Sequence, residues 1–274
     1  MAKPFLKWAG GKSRLVPIIE PHLPDGRLIE PFAGSCALFL GSRFDTAVLA
    51  DLNADLVHLY RFLQGPEAAS FIDEAESYFT PAHNTEASFM DLRARFNAAQ
   101  PGDRDRAAIF VYLNRHAFNG MCRYNRSGAF NVPYGQYKGP GFPRAAMEAF
   151  AERVQGSTFL HQGFQETMAI AGKGDTVYAD PPYVPLSPTA SFASYAKEGF
   201  AWEEQQALAQ AARAAADRGA FVAISNHATP ASIGLYESLG GDCSIRFSVQ
   251  RSVSASAASR KEAPELLAIF RPTV

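Results

Sequence analysis

The sequence predicts an α/β fold: seven strands in a mostly parallel sheet, covered by helices on both faces and interrupted by one long helical insertion. Three observations carry this expectation. Short apolar, partly β-branched runs recur between polar or turn residues, most of them alternate with helical patterns, and one interval between runs is long and helical throughout. With 274 residues, 47% of them hydrophobic and 19% charged, the chain can bury a substantial core.

The seven runs are Arg27–Glu30, Thr46–Ala50, Thr158–His161, Thr176–Ala179, Phe221–Ser225, Ile245–Val249 and Leu266–Phe270. A helical pattern over Ala54–Leu63 follows the second run, and the Ala-rich Trp202–Arg218 follows the fourth. Such alternation argues for parallel strands buried on both faces. From Asp55 to Gln155 the chain reads as helices with one Gly, Pro, Asn and Tyr-rich loop, Asn119–Phe142, and no parallel strand. This gives an inserted subdomain at 55–155 and a main domain formed by 1–54 and 156–274. The last two runs have no helix between them, so the final strand is expected to be antiparallel.

Composition excludes several classes. No run of 18 apolar residues is present, and the N-terminal MAKPFLKWAGGK has lysines where a signal peptide is apolar, so a cytoplasmic protein away from membranes is expected. The 3 cysteines, Cys36, Cys122 and Cys243, are widely spaced without a CxxC pair, which fits neither a disulfide framework nor a zinc site, and no metal is expected. The net charge of −1 conceals an uneven distribution. Arg106 to Met147 holds Arg106, Arg115, Arg123, Arg126, Lys138 and Arg144 without an acid, and Met1 to Ile19 holds Lys3, Lys7, Lys12 and Arg14 without one, a footprint suited to a polyanion.

The sharpest motif is Asp180-Pro181-Pro182-Tyr183, directly after the fourth run. A tetrapeptide of this type arises by chance in about 1% of chains of this length. In open α/β sheets ligands sit beyond the carboxyl ends of strands, where this motif falls. Two prolines remove two backbone donors, leaving carbonyl oxygens and the Asp180 carboxylate as acceptors for an NH2 group. Tyr183 offers a flat ring for a planar heterocycle, worth about 1–3 kcal/mol per stacked base. Earlier in the chain, Leu28 to Ser35 is a strand ending in an acid, a Pro31-Phe32 turn and Gly34, where a glycine lets backbone approach a ligand and Ser35 is placed to start a helix. Asp51 ends the second run like an acid that binds ribose hydroxyls; it is equally placed to cap the following helix. Gly11-Lys12-Ser13 imitates a triphosphate loop, but Leu6 occupies the position of the required first glycine, and Met1–Pro4 leaves no room for a preceding strand.

The motif DPPY after a strand resembles the catalytic motif of amino-methyltransferases acting on adenine N6 or cytosine N4. FLKWAGGK before Glu30-Pro31-Phe32, a helical insertion and then DPPY resembles in order the Dam-type DNA adenine methyltransferases, from Phe5 to about Phe270. Within the insertion, Tyr112-Leu113-Asn114-Arg115, Phe118-Asn119-Gly120-Met121-Cys122-Arg123-Tyr124-Asn125 and Phe130-Asn131-Val132-Pro133-Tyr134-Gly135 resemble that family's target-recognition hairpin. Further matching runs are Pro185-Leu186-Ser187, Ile224-Ser225-Asn226-His227, Arg251-Ser252-Val253-Ser254 and Glu265-Leu266-Leu267-Ala268.

The resemblance implies an S-adenosylmethionine-dependent methyltransferase sheet with a target-recognition insertion, a monomer acting on the adenine of GATC in double-stranded DNA at the nucleoid, with S-adenosylhomocysteine as product. It implies that Asp180, Pro181, Pro182 and Tyr183 are catalytic, and that Trp8, Ala9, Gly10, Lys12, Pro31, Phe32, Gly34, Ser35, Asp51, Phe164 and Asp180 line the cofactor pocket. Lys7, Met121, Arg123 and Pro133 would read base edges, Phe118 would wedge into the duplex, Asn119 would face the orphaned thymine, and Arg93, Asn125 and Lys138 would meet phosphates. By themselves, Phe118 and Met121 also read as a small core under the loop. Two positions depart from the family: Phe118 stands where many relatives have Tyr, and Gln136 where they commonly have Arg. A cytosine-C5 methyltransferase is excluded because no cysteine follows a proline; RNA or cytosine N4 remains an alternative target.

Overall fold

The computed structural model describes residues 2–186, 200–250 and 262–273. In chain order its elements are α1 (Val16–Ile19), β1 (Arg27–Glu30), α2 (Ala37–Gly41), β2 (Ala47–Asp51), α3 (Ala54–Gln64), α4 (Ala68–Ser77), α5 (Glu86–Ala98), α6 (Arg104–His116), α7 (Arg144–Arg153), β3 (Thr158–His161), α8 (Phe164–Ala169), β4 (Asp175–Ala179), α9 (Trp202–Asp217), β5 (Phe221–His227), α10 (Pro230–Ser238), β6 (Asp242–Gln250) and β7 (Glu262–Phe270). The fold is α/β with a seven-stranded, mostly parallel sheet, as expected. The Arg251–Ser254 run and Ser187 lie outside the described residues.

The chain forms two compact units, one from Met1–Glu20 with Ala33–His161 and the other from Pro21–Phe32 with Gln162–Val274. In the second, β1 pairs parallel with β4 and β4 with β5, while β7 runs antiparallel between β5 and β6. Thr176, Val177, Tyr178 and Ala179 of β4 are all buried, as a strand covered on both faces requires. The stripe Leu208, Ala209, Ala212, Ala215 and Ala216 buries one face of α9, and its small side chains permit a close approach. β5 continues past Ser225 because Asn226 and His227 pair with Leu266 and Glu265. The apolar run stops at Ser225; the ladder carries the strand on through these two polar residues.

In the first unit β2 and β3 pair parallel, with Asp51 opposite His161. Helix α3 packs on them, α4, α6 and α7 pack on α3, and α5 packs on α6. Helix α6 is buried on nearly every side, from Arg106 through Asn114 and at His116, so it shows little amphipathic pattern although it is the centre of a helical cluster. No helix among the described residues is long and apolar enough to cross a membrane.

His116 stacks 3.9 Å from the Tyr112 ring and donates Nδ1–H to the Tyr112 carbonyl at 2.9 Å. Burial pushes its pKa down from 6.5 to about 4. The unfolded chain takes up this proton at higher pH than the folded one, so stability present at neutral pH is lost as the pH falls from 6.5 towards 4. Urea titrations should therefore give a lower midpoint at about pH 5 than at about pH 7, and His116→Gln should reduce that difference. An equal difference in the variant would remove His116 as its source.

Candidate functional site

The parallel pairing of β4 and β5 sets Ala179 opposite Ile224, so Asp180 and Asn226 lie at the same end of the sheet. Pro181 is buried, Pro182 exposed and Tyr183 half-buried. Burial, then the neighbouring Asp180 charge, raises the pKa of Tyr183 well above the ordinary phenol value, and Tyr178 is raised for the same two reasons. Both remain neutral hydroxyl donors. Tyr183 donates to Glu265 Oε2 at 3.2 Å, and its ring meets His227 edge to face at 4.9 Å.

Pro31 closes β1, and Phe32 after it stacks on Phe164 at 5.6 Å, while Phe200 stands edge-on to Phe32 at 5.7 Å. The structure thus brings Phe32 and Phe164 together and adds Phe200. Phe200 is a single aromatic just ahead of α9, and no local pattern marks it.

In the first unit, Gly34 has φ +47°, and a Cβ there would lie 2.8 Å from Trp8 Nε1, so the indole occupies the space of a side chain. The Gly34 N–H donates to Asp51 Oδ2 at 2.9 Å and its carbonyl accepts from the Tyr60 hydroxyl at 2.7 Å. Asp51 Oδ1 accepts the Asn53 N–H at 2.9 Å. Burial raises the Asp51 pKa, against the pull of the Asn53 and Gly34 amides. Asn53 caps α3, accepting the Leu56 N–H at 3.2 Å. The helix-cap reading of Asp51 is therefore overturned: its carboxylate holds the glycine loop. The expectation for Ser35 also changes. Cys36, at φ +56°, is the residue that leads into α2. Lys12 is buried and donates Nζ to the Gly10 carbonyl at 3.0 Å, whereas Ala9 and Gly10 are exposed. Acid, glycine loop and indole fit a nucleoside with a charged tail, and the three phenylalanines offer an aromatic surface for a heterocycle. Among the described residues no group of His, Cys, Asp or Glu is arranged to hold a metal.

The loop after α6 turns through Phe118–Gly120 and then runs as a short hairpin with Tyr124 opposite Phe130. Asn114 binds Lys7 like a strand partner, accepting its N–H at 2.8 Å and donating to its carbonyl at 2.7 Å. The Lys7 ammonium lies 4.4 Å over the Tyr137 ring, and the Tyr137 hydroxyl accepts the Asn119 N–H at 2.8 Å. Gly120, at φ +62°, is fixed as glycine because a Cβ would run into the Lys7 stem. Residue-type reasoning passes over Tyr137 and Asn114, the partners of Lys7 and Asn119; both lie within the quoted family runs or beside them.

Phe118 is 48% exposed, which removes the reading of that ring as core, while Met121 is half-buried. Arg123 is exposed, with Nε donating to Asn131 Oδ1 at 2.8 Å and Nη2 to the Asn131 carbonyl at 3.3 Å. One edge of the guanidinium is held, which aims the Nη1–Nη2 edge. Asn125 Oδ1 accepts N–H groups of Ser127 and Ala129, both at 3.0 Å, and shapes the hairpin tip. Arg93 donates to the Val132 carbonyl at 3.1 Å, and the exposed Pro133 accepts the Phe118 N–H at 2.9 Å.

The acid-free stretch of sequence is not acid-free in space. Arg106 is buried against Asp55, and Arg144 pairs with Asp73, Glu76 and Glu148. Arg115 donates to the Phe5 and Gly141 carbonyls at 3.5 and 3.4 Å. Arg123, Arg126 and Lys138 remain exposed on the hairpin side of that stretch. The basic footprint is narrower than the sequence count implies.

Residues 8–253 match the family described as D12 class N6 adenine-specific DNA methyltransferases. The chain is 44% identical over 270 residues to the DNA adenine methylase of Vibrio cholerae serotype O1, covering 98% of this chain and 96% of that one. It is 41% identical over 271 residues to the DNA adenine methylase of Escherichia coli K12, with the same coverage of 98% and 96%. Against that of Serratia marcescens it is 41% identical over 269 residues, covering 97% and 98%. Since the match runs from Trp8 through the glycine loop, the hairpin and the Asp180 loop, the chain belongs to the D12 class of N6 adenine-specific DNA methyltransferases.

Proposed function

We propose that this adenine-specific DNA methyltransferase acts as a monomer, transferring a methyl group from S-adenosylmethionine to N6 of the adenine of GATC in duplex DNA after that base leaves the stack. The observation that carries the proposal is the Asp180–Tyr183 loop at the carboxyl end of β4: two consecutive prolines beside a carboxylate, with a neutral, braced tyrosine ring. S-adenosylmethionine supplies an electrophilic methyl group on a sulfonium. Asp51 and Lys12 would bind its ribose and charged tail, Gly34 and Trp8 its carbon skeleton, and Phe32 and Phe164 its adenine.

The substrate amine is a weak nucleophile because its lone pair is delocalised into the ring. Accepting its two N–H bonds, Asp180 and the Pro181 carbonyl would turn the nitrogen towards a tetrahedral geometry. When bound, the donor would give up its methyl group to N6 with loss of the sulfur–CH3 bond, and Asp180 would accept the surplus N6 proton and release it to solvent. Tyr183 stacks on the base, and Phe118 fills the space it vacates; together they offset an extrusion cost of a few kcal/mol. Plasmid incubated with the protein and S-adenosylmethionine should resist a nuclease blocked by GATC methylation and be cut by one that requires it. Methyl incorporation without that pattern would remove GATC as the target and leave the chemistry standing.

Arg123 is the proposed guanine reader, its free edge matching O6 and N7. Arg123→Ala should cost about 1–3 kcal/mol of discrimination at one base pair, about one to two orders of magnitude in relative rate. Lys138→Ala should weaken binding to all sequences alike and lower the salt slope by about one unit. Duplexes substituted singly at each GATC position, assayed at two salt concentrations, separate the two effects. A uniform loss for Arg123→Ala with a positional loss for Lys138→Ala would reverse the assignments.

A further inference from the structure

Strand β5 ends in a fully buried carboxamide. Asn226 Oδ1 accepts the Val184 N–H and its neighbour His227 N–H, each at 2.9 Å, and Nδ2 donates to Gln205 Oε1 at 3.1 Å and to the Tyr236 hydroxyl at 2.8 Å. Every hydrogen-bonding position of the side chain is used, as a buried amide requires. Gln205 on α9 is 2% exposed and donates Nε2 to the Pro182 carbonyl at 2.7 Å.

The amide orientations determine one another. Two backbone N–H groups hold the oxygen of Asn226, so its NH2 faces Gln205. Gln205 must answer with its oxygen, which leaves its NH2 for the Pro182 carbonyl, a group that only accepts. His227 adds an Nδ1–H bond to the Val184 carbonyl at 2.7 Å. Pro181 and Pro182 have no N–H with which to anchor themselves. The loop is held instead through its Pro182 carbonyl and both polar groups of the Val184 backbone.

We propose that Gln205 and Asn226 are positioning residues for methyl transfer: their amide relay ties off the Pro182 carbonyl and the Val184 amide, so that Asp180 and the Pro181 carbonyl present one register of acceptors to the substrate amine. The proposal rests on the reading of Asp180–Tyr183 as the loop that holds the base. Adjacent carbonyls on a loosened loop would compete for the amine, and a displacement of about 1 Å at a reacting group can cost about a hundredfold in rate.

The test uses the full chain with a GATC duplex carrying 2-aminopurine at the target position for base extrusion, an adenine duplex for single-turnover methyl transfer, and calorimetry for S-adenosylhomocysteine. Gln205→Met should slow transfer at least about tenfold while extrusion fluorescence, duplex affinity and S-adenosylhomocysteine affinity stay within about threefold of wild type. Gln205→Glu keeps the shape and supplies a pH signature. As a carboxylate it sets an oxygen against the Pro182 carbonyl, and as a carboxylic acid it donates there, so its rate relative to wild type should recover as the pH falls, whereas that of Gln205→Met should not. Transfer by Gln205→Met at the wild-type rate overturns the relay. So does a loss matched by weaker ligand binding or a lower melting temperature, together with a flat relative pH profile for Gln205→Glu, since that outcome makes the pair merely structural. Asp180→Ala in the same assay separates the two ideas: if it transfers methyl normally, the reading of the loop fails; if it is inactive while Gln205→Met is unimpaired, only the relay fails.

Discussion

Asp180→Asn is expected to leave the fold and DNA binding intact and to slow methyl transfer by at least about a hundredfold, the scale on which oriented polar groups act in a transition state. The substitution is isosteric, so the packing beneath the loop is undisturbed. It changes what the side chain can accept. An amide offers one acceptor oxygen and sets an NH2 where the substrate amine also brings hydrogen, and it cannot take up the N6 proton as the methyl arrives. Tritiated methyl incorporation under single-turnover conditions is the measurement, with duplex affinity and thermal unfolding as controls. Transfer within about tenfold of wild type would remove Asp180 from the chemistry and leave the loop a turn.

The second large effect concerns stability. Arg106 Nη2 meets Asp55 Oδ2 at 2.9 Å in a pair whose side chains are 8% and 7% exposed, and Arg106 also donates to the Phe96 and Ala99 carbonyls at 2.6 and 2.8 Å. Asp55→Ala leaves that guanidinium buried without its counter-charge and should cost about 3–5 kcal/mol of unfolding free energy. Removing both partners, with Arg106→Met added, should recover part of the loss, because the stranded charge rather than the missing attraction carries most of it. The effect reaches the hairpin: the Tyr124 hydroxyl donates to the same carboxylate at 2.7 Å, so amides around Arg123 should exchange faster in Asp55→Ala. Urea unfolding of the single and double variants decides. A cost below about 1 kcal/mol for Asp55→Ala would show that water or a neighbouring group replaces the carboxylate.

All seven strands were legible as short apolar runs, and the Ala-rich stripe of α9 as a helix, because strand and helix periods are local properties of the chain. The Asp180–Tyr183 loop was legible for the same reason: two prolines and a strand end declare themselves within four adjacent residues. The last three strands run past their apolar runs: β5 on to His227, β6 from Asp242 and β7 from Glu262. Asn226 and His227 are polar, and only the ladder to β7 and the buried partners Gln205 and Tyr236 make them strand. From residue type Asp51 reads equally as a cap of α3; the structure gives that cap to Asn53, and the Gly34 N–H that holds Asp51 lies 17 positions away in sequence.

What the sequence by itself determined is the α/β class, the order of strands and helices, and the acceptor-rich loop after β4, since each is written in neighbouring residues. Tertiary structure alone decided which charges face solvent and which amides meet. Arg106 finds Asp55 across 51 positions, Arg144 finds Glu76 across 68, Lys7 finds Asn114 across 107, and Asn226 finds Gln205 across 21. Partners at such separations are chosen by how helices and strands pack, and a buried charge or amide persists only where packing supplies its counterpart; composition along the chain does not contain that information.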